Sequence, residues 1–175
     1  MNETLKVLEN RRSCRKFKPD MIRDTELSSI LRAGTFAPTG HGVQSPIIIA
    51  ITNPDLRAKI ARENSKIGGW SKDFDPFYGA PVVIAVLADK KIPTYIYDGS
   101  LVLGNILNAA ESLNLGSIWI HRAKEVFELP LGKKILNDLG ITGDYEGIGF
   151  CALGYKDTKE MKAAPRKENY IYYVE

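Results

Sequence analysis

Three arginines fall within five positions near the start of the chain, Arg11, Arg12 and Arg15, with Ser13 and Cys14 between them. A guanidinium presents paired N–H donors in a rigid fork that matches the oxygens of a phosphate, and a serine hydroxyl adds a smaller donor. Three such charges would be costly in a core and are dense for plain solubility. The segment reads as a site for a phosphorylated ligand; a solvated basic patch is the plainer alternative.

Three further stretches carry polar groups at the ends of apolar runs. Ala37-Pro38-Thr39-Gly40-His41-Gly42-Val43-Gln44-Ser45 combines a proline and two glycines with neutral hydrogen-bonding side chains. Such a backbone turns tightly and can approach a ligand closely, although alone it is also an ordinary polar turn before a strand. His41 is read there as a loop hydrogen-bonder. Gly116 to Arg122 is an apolar run closing on His121 and Arg122, and Gly154-Tyr155 is followed at a distance by Pro165-Arg166.

The composition narrows the class. A chain of 175 residues with 44% hydrophobic and 26% charged residues suits one globular domain over 1–175. A net charge of +3, without a basic stripe carrying base-reading aromatics, argues against a nucleic-acid partner. Cys14 and Cys151 are too few and too far apart for a disulfide scaffold, and His41 and His121 form no ligand-spaced cluster, so no metal is expected. The start lacks the apolar core of a signal peptide, and the strongest apolar run, Pro81 to Ala88, is too short to span a bilayer. A cytoplasmic location with no membrane partner and two reduced thiols is the expectation.

The elements that must position these groups follow from periodicity. Leu5 and Leu8 at i, i+3 predict a first helix. Asp24 is the expected N-cap of a second, with Leu27, Ile30 and Leu31 on one face. Asn53 followed by Pro54 marks the start of a third. A long apolar helix is expected from about Tyr95 to Leu115, stopped by Gly116. Its apolar residues cover more than one face, so it is either central or covered by a partner subunit. Gly104 within it should cost about 1 kcal/mol relative to alanine unless a close helix crossing offsets this. Residues 124–140 read as a helix broken around Pro130 and Gly132. Ile47–Ile51 and Val82–Leu87 lack alternation and predict strands covered on both faces; Ser117–Ile120 and Gly149–Leu153 are further strands. Tyr170 to Val174 looks like a terminal strand, expected to join a sheet, that of another subunit included. The class is α+β or α/β, a sheet of four or five strands layered between helices.

In this order, RRSCRKF at 11–17, APTGHGVQS at 37–45, GAPVVIAV at 79–86, NILNAAESLNLGSIWI at 105–120, ALGY at 152–155 and PRK at 165–167 resemble the nitroreductase family of FMN-dependent oxidoreductases. The resemblance implies an α+β three-layer sandwich with a mainly antiparallel sheet. It further implies a homodimer with a domain-swapped terminal strand and FMN bound at the subunit interface. On it, Arg11, Ser13 and Arg166 look like phosphate ligands, with Arg12 contributing main-chain contact. Arg15 matches the position at the flavin's N1/O2 edge, where a cation favours the anionic reduced ring. Pro38, Thr39 and Gly40 are similar to the loop that one subunit lays against the flavin of the other, and Gln44 to the residue positioning that loop. Trp119, His121 and Arg122 match the strand end facing the ring's N5/O4 side, with His121 a candidate pocket residue.

The implied activity is a ping-pong reduction. NAD(P)H is a transient hydride donor, and a nitroaromatic or quinone is the small-molecule acceptor, with the redox step on the flavin. A non-catalytic FMN-binding or storage protein and a reductive dehalogenase are the alternatives. Cys14 is expected to be a buried, passive thiol. The aromatic stretch Trp70, Phe74, Phe77 and Tyr78 is either a pocket wall or core.

Overall fold

The computed structural model describes residues 1–159 and 162–175. Its elements in chain order are α1 (Glu3–Asn10), α2 (Asp24–Thr35), a single 3-10 turn (Gly40–Gly42), β1 (Ile47–Ile51), α3 (Pro54–Ile67), β2 (Val82–Asp89), α4 (Tyr95–Ser112), β3 (Leu115–Ile120), α5 (Ala123–Glu128), α6 (Pro130–Asp138) and β4 (Tyr145–Tyr155). The four strands form one antiparallel sheet in the order β1-β2-β4-β3.

Helices cover both faces, and the pleat sorts the side chains between them. Val83, Ala85 and Leu87 of β2, with Phe150 and Ala152 of β4, join Ile60 of α3, Val126 and Phe127 of α5 and Ile135 of α6. Val82, Ile84 and Val86, with Cys151 and Leu153, face Ile30 of α2 and Val102, Leu103 and Ile106 of α4. A register shift between Val86 and Leu87 kinks the β2–β4 ladder beside the bulged Ile148. The result is the three-layer α+β sandwich.

The helix starts follow local chemistry. Asn53 Oδ1 accepts the Leu56 N–H at 2.9 Å, and Pro54 occupies the first turn, where its missing N–H costs nothing. The start of α2 lies one residue earlier than expected: Arg23 holds the cap position, and Glu26 reaches back to accept the Arg23 N–H at 3.0 Å. Helix α4 ends at Ser112, and its stop is Asn114 in the left-handed region (φ 59°), with Gly116 already inside β3. Asparagine tolerates that conformation, so two stop signals stood two positions apart. The residue break between α5 and α6 falls at Leu129.

Two expectations about burial, at Gly104 and β1, change within the single chain. A Cβ on Gly104 would meet nothing within 4 Å; the close helix approach is at Gly34, where a Cβ would sit 2.9 Å from Ile106. β2 is buried on both faces, but β1 is the edge strand, with Ala50 exposed and Ile48 half-buried. The tail Tyr170–Val174 forms no strand within the chain and is exposed throughout. α4 also leaves Ile96, Tyr97 and Leu101 exposed, so its outer face is apolar and uncovered in the single chain. No described helix is long and apolar enough to cross a membrane.

Candidate functional site

The arginine segment is pinned to the start of β3. Ser13 bridges Ser117 in parallel, and the Cys14 N–H donates to the Ser117 carbonyl at 2.9 Å. The chain then runs on beside the end of β4, where the Lys18 N–H reaches the Tyr155 carbonyl. Because this segment is extended, alternate residues point to opposite sides. Arg12 and Cys14 line one cavity of about 540 Å³ with Glu111 and Lys156, whereas Arg11, Ser13 and Arg15 do not.

Arg12 is used by the protein itself. Its Nη1 donates to the Glu9 carbonyl at 2.8 Å and the Arg11 carbonyl at 2.6 Å, closing the C-terminal end of α1. Arg11, Ser13 and Arg15 differ: among the described residues their side chains have no carboxylate and no hydrogen-bond partner. Two cations and a hydroxyl held in a row without a protein counter-charge suit an anion with several oxygens. Arg166 is exposed, its guanidinium folded back on the Ala164 carbonyl at 2.7 Å.

Cys14 is buried, its Sγ 3.1 Å from the Lys16 carbonyl and packed flat on Gly116, which explains a glycine inside β3. Burial pushes the Cys151 thiol up to about 12. The Cys151 thiol is therefore no nucleophile at neutral pH.

The other end of β3 opens on a second cavity, of about 590 Å³, lined by Trp119, His121 and Arg122 together with Ile96 and Ser100 of α4 and Glu146 of β4. The Trp119 indole lies against Gly149, where a Cβ would come within 2.8 Å of the ring, so this glycine is required by the indole. Arg122 adopts a left-handed backbone (φ 75°) and its guanidinium stacks over Trp70, 4.4 Å from the ring centre. Two polar side chains that sequence reasoning missed act here and nearby. Asn64 of α3, fully buried, donates from Nδ2 to the His121 carbonyl at 2.8 Å. Asp98, buried in the first turn of α4, accepts the Gly40 N–H at 3.0 Å and the Thr94 hydroxyl at 2.9 Å. Their signal was present: each is a polar residue on an otherwise apolar helix face.

Asp98 thereby locks the 37–45 loop. His41, Gly42 and Gln44 all have positive φ, and the Gln44 N–H donates to Thr39 Oγ1 at 3.0 Å. His41 projects into solvent and makes no hydrogen bond among the described residues, against expectation. Thr39 and Gln44 line a third cavity of about 400 Å³, beside the open edge of β1 and Val102. Pro38 is exposed and Gly40 is half-buried at the Asp98 contact. Within one chain, therefore, the β3 end and the loop line separate cavities, and the arginine row runs beside the start of β3. The aromatic stretch divides: Phe77 is core against Phe150, while Trp70 is exposed over Arg122.

Residues 8–155 match the model of the nitroreductase family. The chain belongs to the nitroreductase family. A relative from Archaeoglobus fulgidus, named as an NADH dehydrogenase/NAD(P)H nitroreductase, is 30% identical over 97% of this chain and 95% of its own length. An FMN reductase [NAD(P)H] of Bacillus subtilis is 25% identical over 74% of this chain and 61% of its own. Among solved structures, a nitroreductase with bound FMN from Bacteroides fragilis superposes with a TM-score of 0.91 at 26% identity, covering both chains fully. One with bound FMN from Desulfitobacterium hafniense gives 0.88 at 29% identity, again over both whole chains. The fold of this nitroreductase family member is thus that of FMN-bound relatives along its entire length.

Proposed function

We propose that this chain is an FMN-dependent oxidoreductase that accepts a hydride from NAD(P)H and reduces a small acceptor, a nitroaromatic or quinone, in alternate turns of one cavity. The observation that carries the reading is the row Arg11, Ser13 and Arg15, whose donors lack protein partners and lie along the start of β3. Four residue steps lead from Ser117, at this row, to His121, at the β3 cavity. At about 3.3 Å per strand residue that is roughly 13 Å, a distance suited to a phosphate at one end and a flavin ring at the other.

When bound, FMN supplies the two-electron redox chemistry. The chain's residues supply the rest. Arg11 and Ser13 hold the phosphate, joined by Arg166 from the far end of the chain. Arg12 fixes α1 behind them and adds only main-chain contact. Arg15 sets positive charge beside the edge of the ring that becomes negative on reduction. Trp119, His121 and Arg122 form the pocket floor and rim, and His121 is exposed there, able to meet an acceptor.

The same reading includes a homodimer. It is supported by three uncovered features of the single chain: the exposed apolar tail Tyr170–Val174, the open β1 edge and the apolar outer face of α4. A second copy would supply its Pro38–Gln44 loop across the interface, and its tail would extend the sheet. The test is the visible spectrum of purified protein supplied with FMN, followed anaerobically. NADH or NADPH should bleach the flavin band, and a quinone or nitroaromatic should restore it. Bound flavin that no nicotinamide donor bleaches would instead favour a storage protein.

A further inference from the structure

The peptide between His121 and Arg122 is trans and planar, so its carbonyl and its N–H point in opposite directions. The carbonyl points into the layer below the sheet, where Asn64 Nδ2 holds it at 2.8 Å. Asn64 sits on α3, next to Ile60 and Ala61, which pack into the face of the core built by α3, α5 and α6. The Arg122 N–H must therefore point to the opposite side. That is the side of the β3 cavity, whose wall is Ile96 and Ser100 of α4. Among the described residues this N–H has no acceptor.

Nothing local requires this arrangement. Arg122 is a branchless but bulky residue in the left-handed region, a backbone state that costs on the order of 1 kcal/mol and persists only where surroundings enforce it. Two contacts enforce it, both from α3 and the residues just after it: Asn64 on the His121 carbonyl and Trp70 under the Arg122 guanidinium. Asn64 is fully buried, and its own Oδ1 has no partner, so the amide is kept for the one bond it donates. A carbonyl that accepts a hydrogen bond also polarises its peptide and strengthens the N–H on the other side.

We propose that Asn64 is a positioning residue that aims the Arg122 main-chain N–H into the β3 cavity as a donor to a flavin ring carbonyl. This rests on the reading that FMN binds here. That carbonyl gains electron density on reduction, so a fixed donor favours the reduced cofactor.

The experiment compares FMN-loaded wild type with Asn64→Leu, which fills the site but cannot donate, and with Ser65→Ala as the control. Ser65 neighbours Asn64 on α3 and donates to the Ser71 carbonyl, away from the His121 peptide. Asn64→Leu should shift the balance about tenfold toward oxidised flavin, a two-electron midpoint lower by about 30 mV, whereas Ser65→Ala should leave it unchanged. A midpoint in Asn64→Leu equal to wild type, with only a loss of thermal stability, overturns the proposal. If Asn64→Leu does not fold, Asn64→Ser, too short to reach the carbonyl, must show the same lowering. Amide exchange of wild-type protein gives an independent answer: the Arg122 amide should exchange fast without FMN and slowly with it. Slow exchange in both states overturns the proposal. Failure of wild type to take up FMN at all would instead sink the functional reading, and it is seen before any variant is made.

Discussion

The arginine row and the 37–45 loop make opposite use of their hydrogen-bonding groups. In the row, Arg11, Ser13 and Arg15 keep their donors unspent among the described residues. In the loop, four backbone donors are committed inward: Gly40 to Asp98, Gln44 to Thr39, Gly42 and Val43 to the turn itself. On the proposed reading, the row is an electrostatic anchor that a ligand would complete. The loop backbone is a finished shape, held in a strained conformation by a buried carboxylate. Binding by charge and binding by fit should therefore respond differently to substitution.

The largest effect should come from the row. Arg11→Ala should weaken FMN binding about 10- to 100-fold, the usual loss for one charge-assisted bond, read by quenching of flavin fluorescence on titration. In the loop, Asp98→Ala leaves the Gly40 N–H and the Thr94 hydroxyl without their acceptor. It should cost about 1–3 kcal/mol in urea unfolding while changing FMN affinity much less than Arg11→Ala does. The reverse ranking of affinities would erase the distinction. Arg15→Ala should separate charge at the ring from charge at the phosphate: the flavin midpoint should fall by about 30 mV, a tenfold change, with slower turnover and a smaller loss of retention. An unchanged midpoint with retention lost as in Arg11→Ala would merge the two roles.

The smallest effect concerns a carboxylate outside both regions. Hydrogen bonds from Arg23 and Tyr155 hold Glu26 down at about 2, from an ordinary 4.5. A carboxyl depressed in the folded state stabilises the fold fully above its unfolded value and loses that contribution as pH falls. Thermal stability should thus decline between about pH 4.5 and 2, and Glu26→Gln should flatten the decline over that window. Equal slopes for both proteins would remove Glu26 from the account.

Much of the fold could be read along the chain because its signals are local. The unbroken apolar run at 82–87 is the doubly covered strand it predicts, and Asn53-Pro54 opens a helix as expected. Where two local signals competed, the reading slipped: Asn114 and Gly116 both suit a helix end, and packing of Cys14 on Gly116 is a tertiary fact. The same holds at the site. Arg11, Ser13 and Arg15 announce themselves by type and spacing. Asn64 and Asp98 act on partners 57 and 58 positions away, and only the folded chain brings those together. The edge character of β1 was hidden for a similar reason, since its composition is that of a central strand and only the strand order exposes it.

Paired titrations with FMN and riboflavin, which differ only by the phosphate, test the anchor most directly. Wild type should bind FMN at least tenfold more tightly than riboflavin, and Arg11→Ala should lose most of that difference, with riboflavin affinity nearly unchanged. Equal affinity of wild type for the two flavins would contradict it.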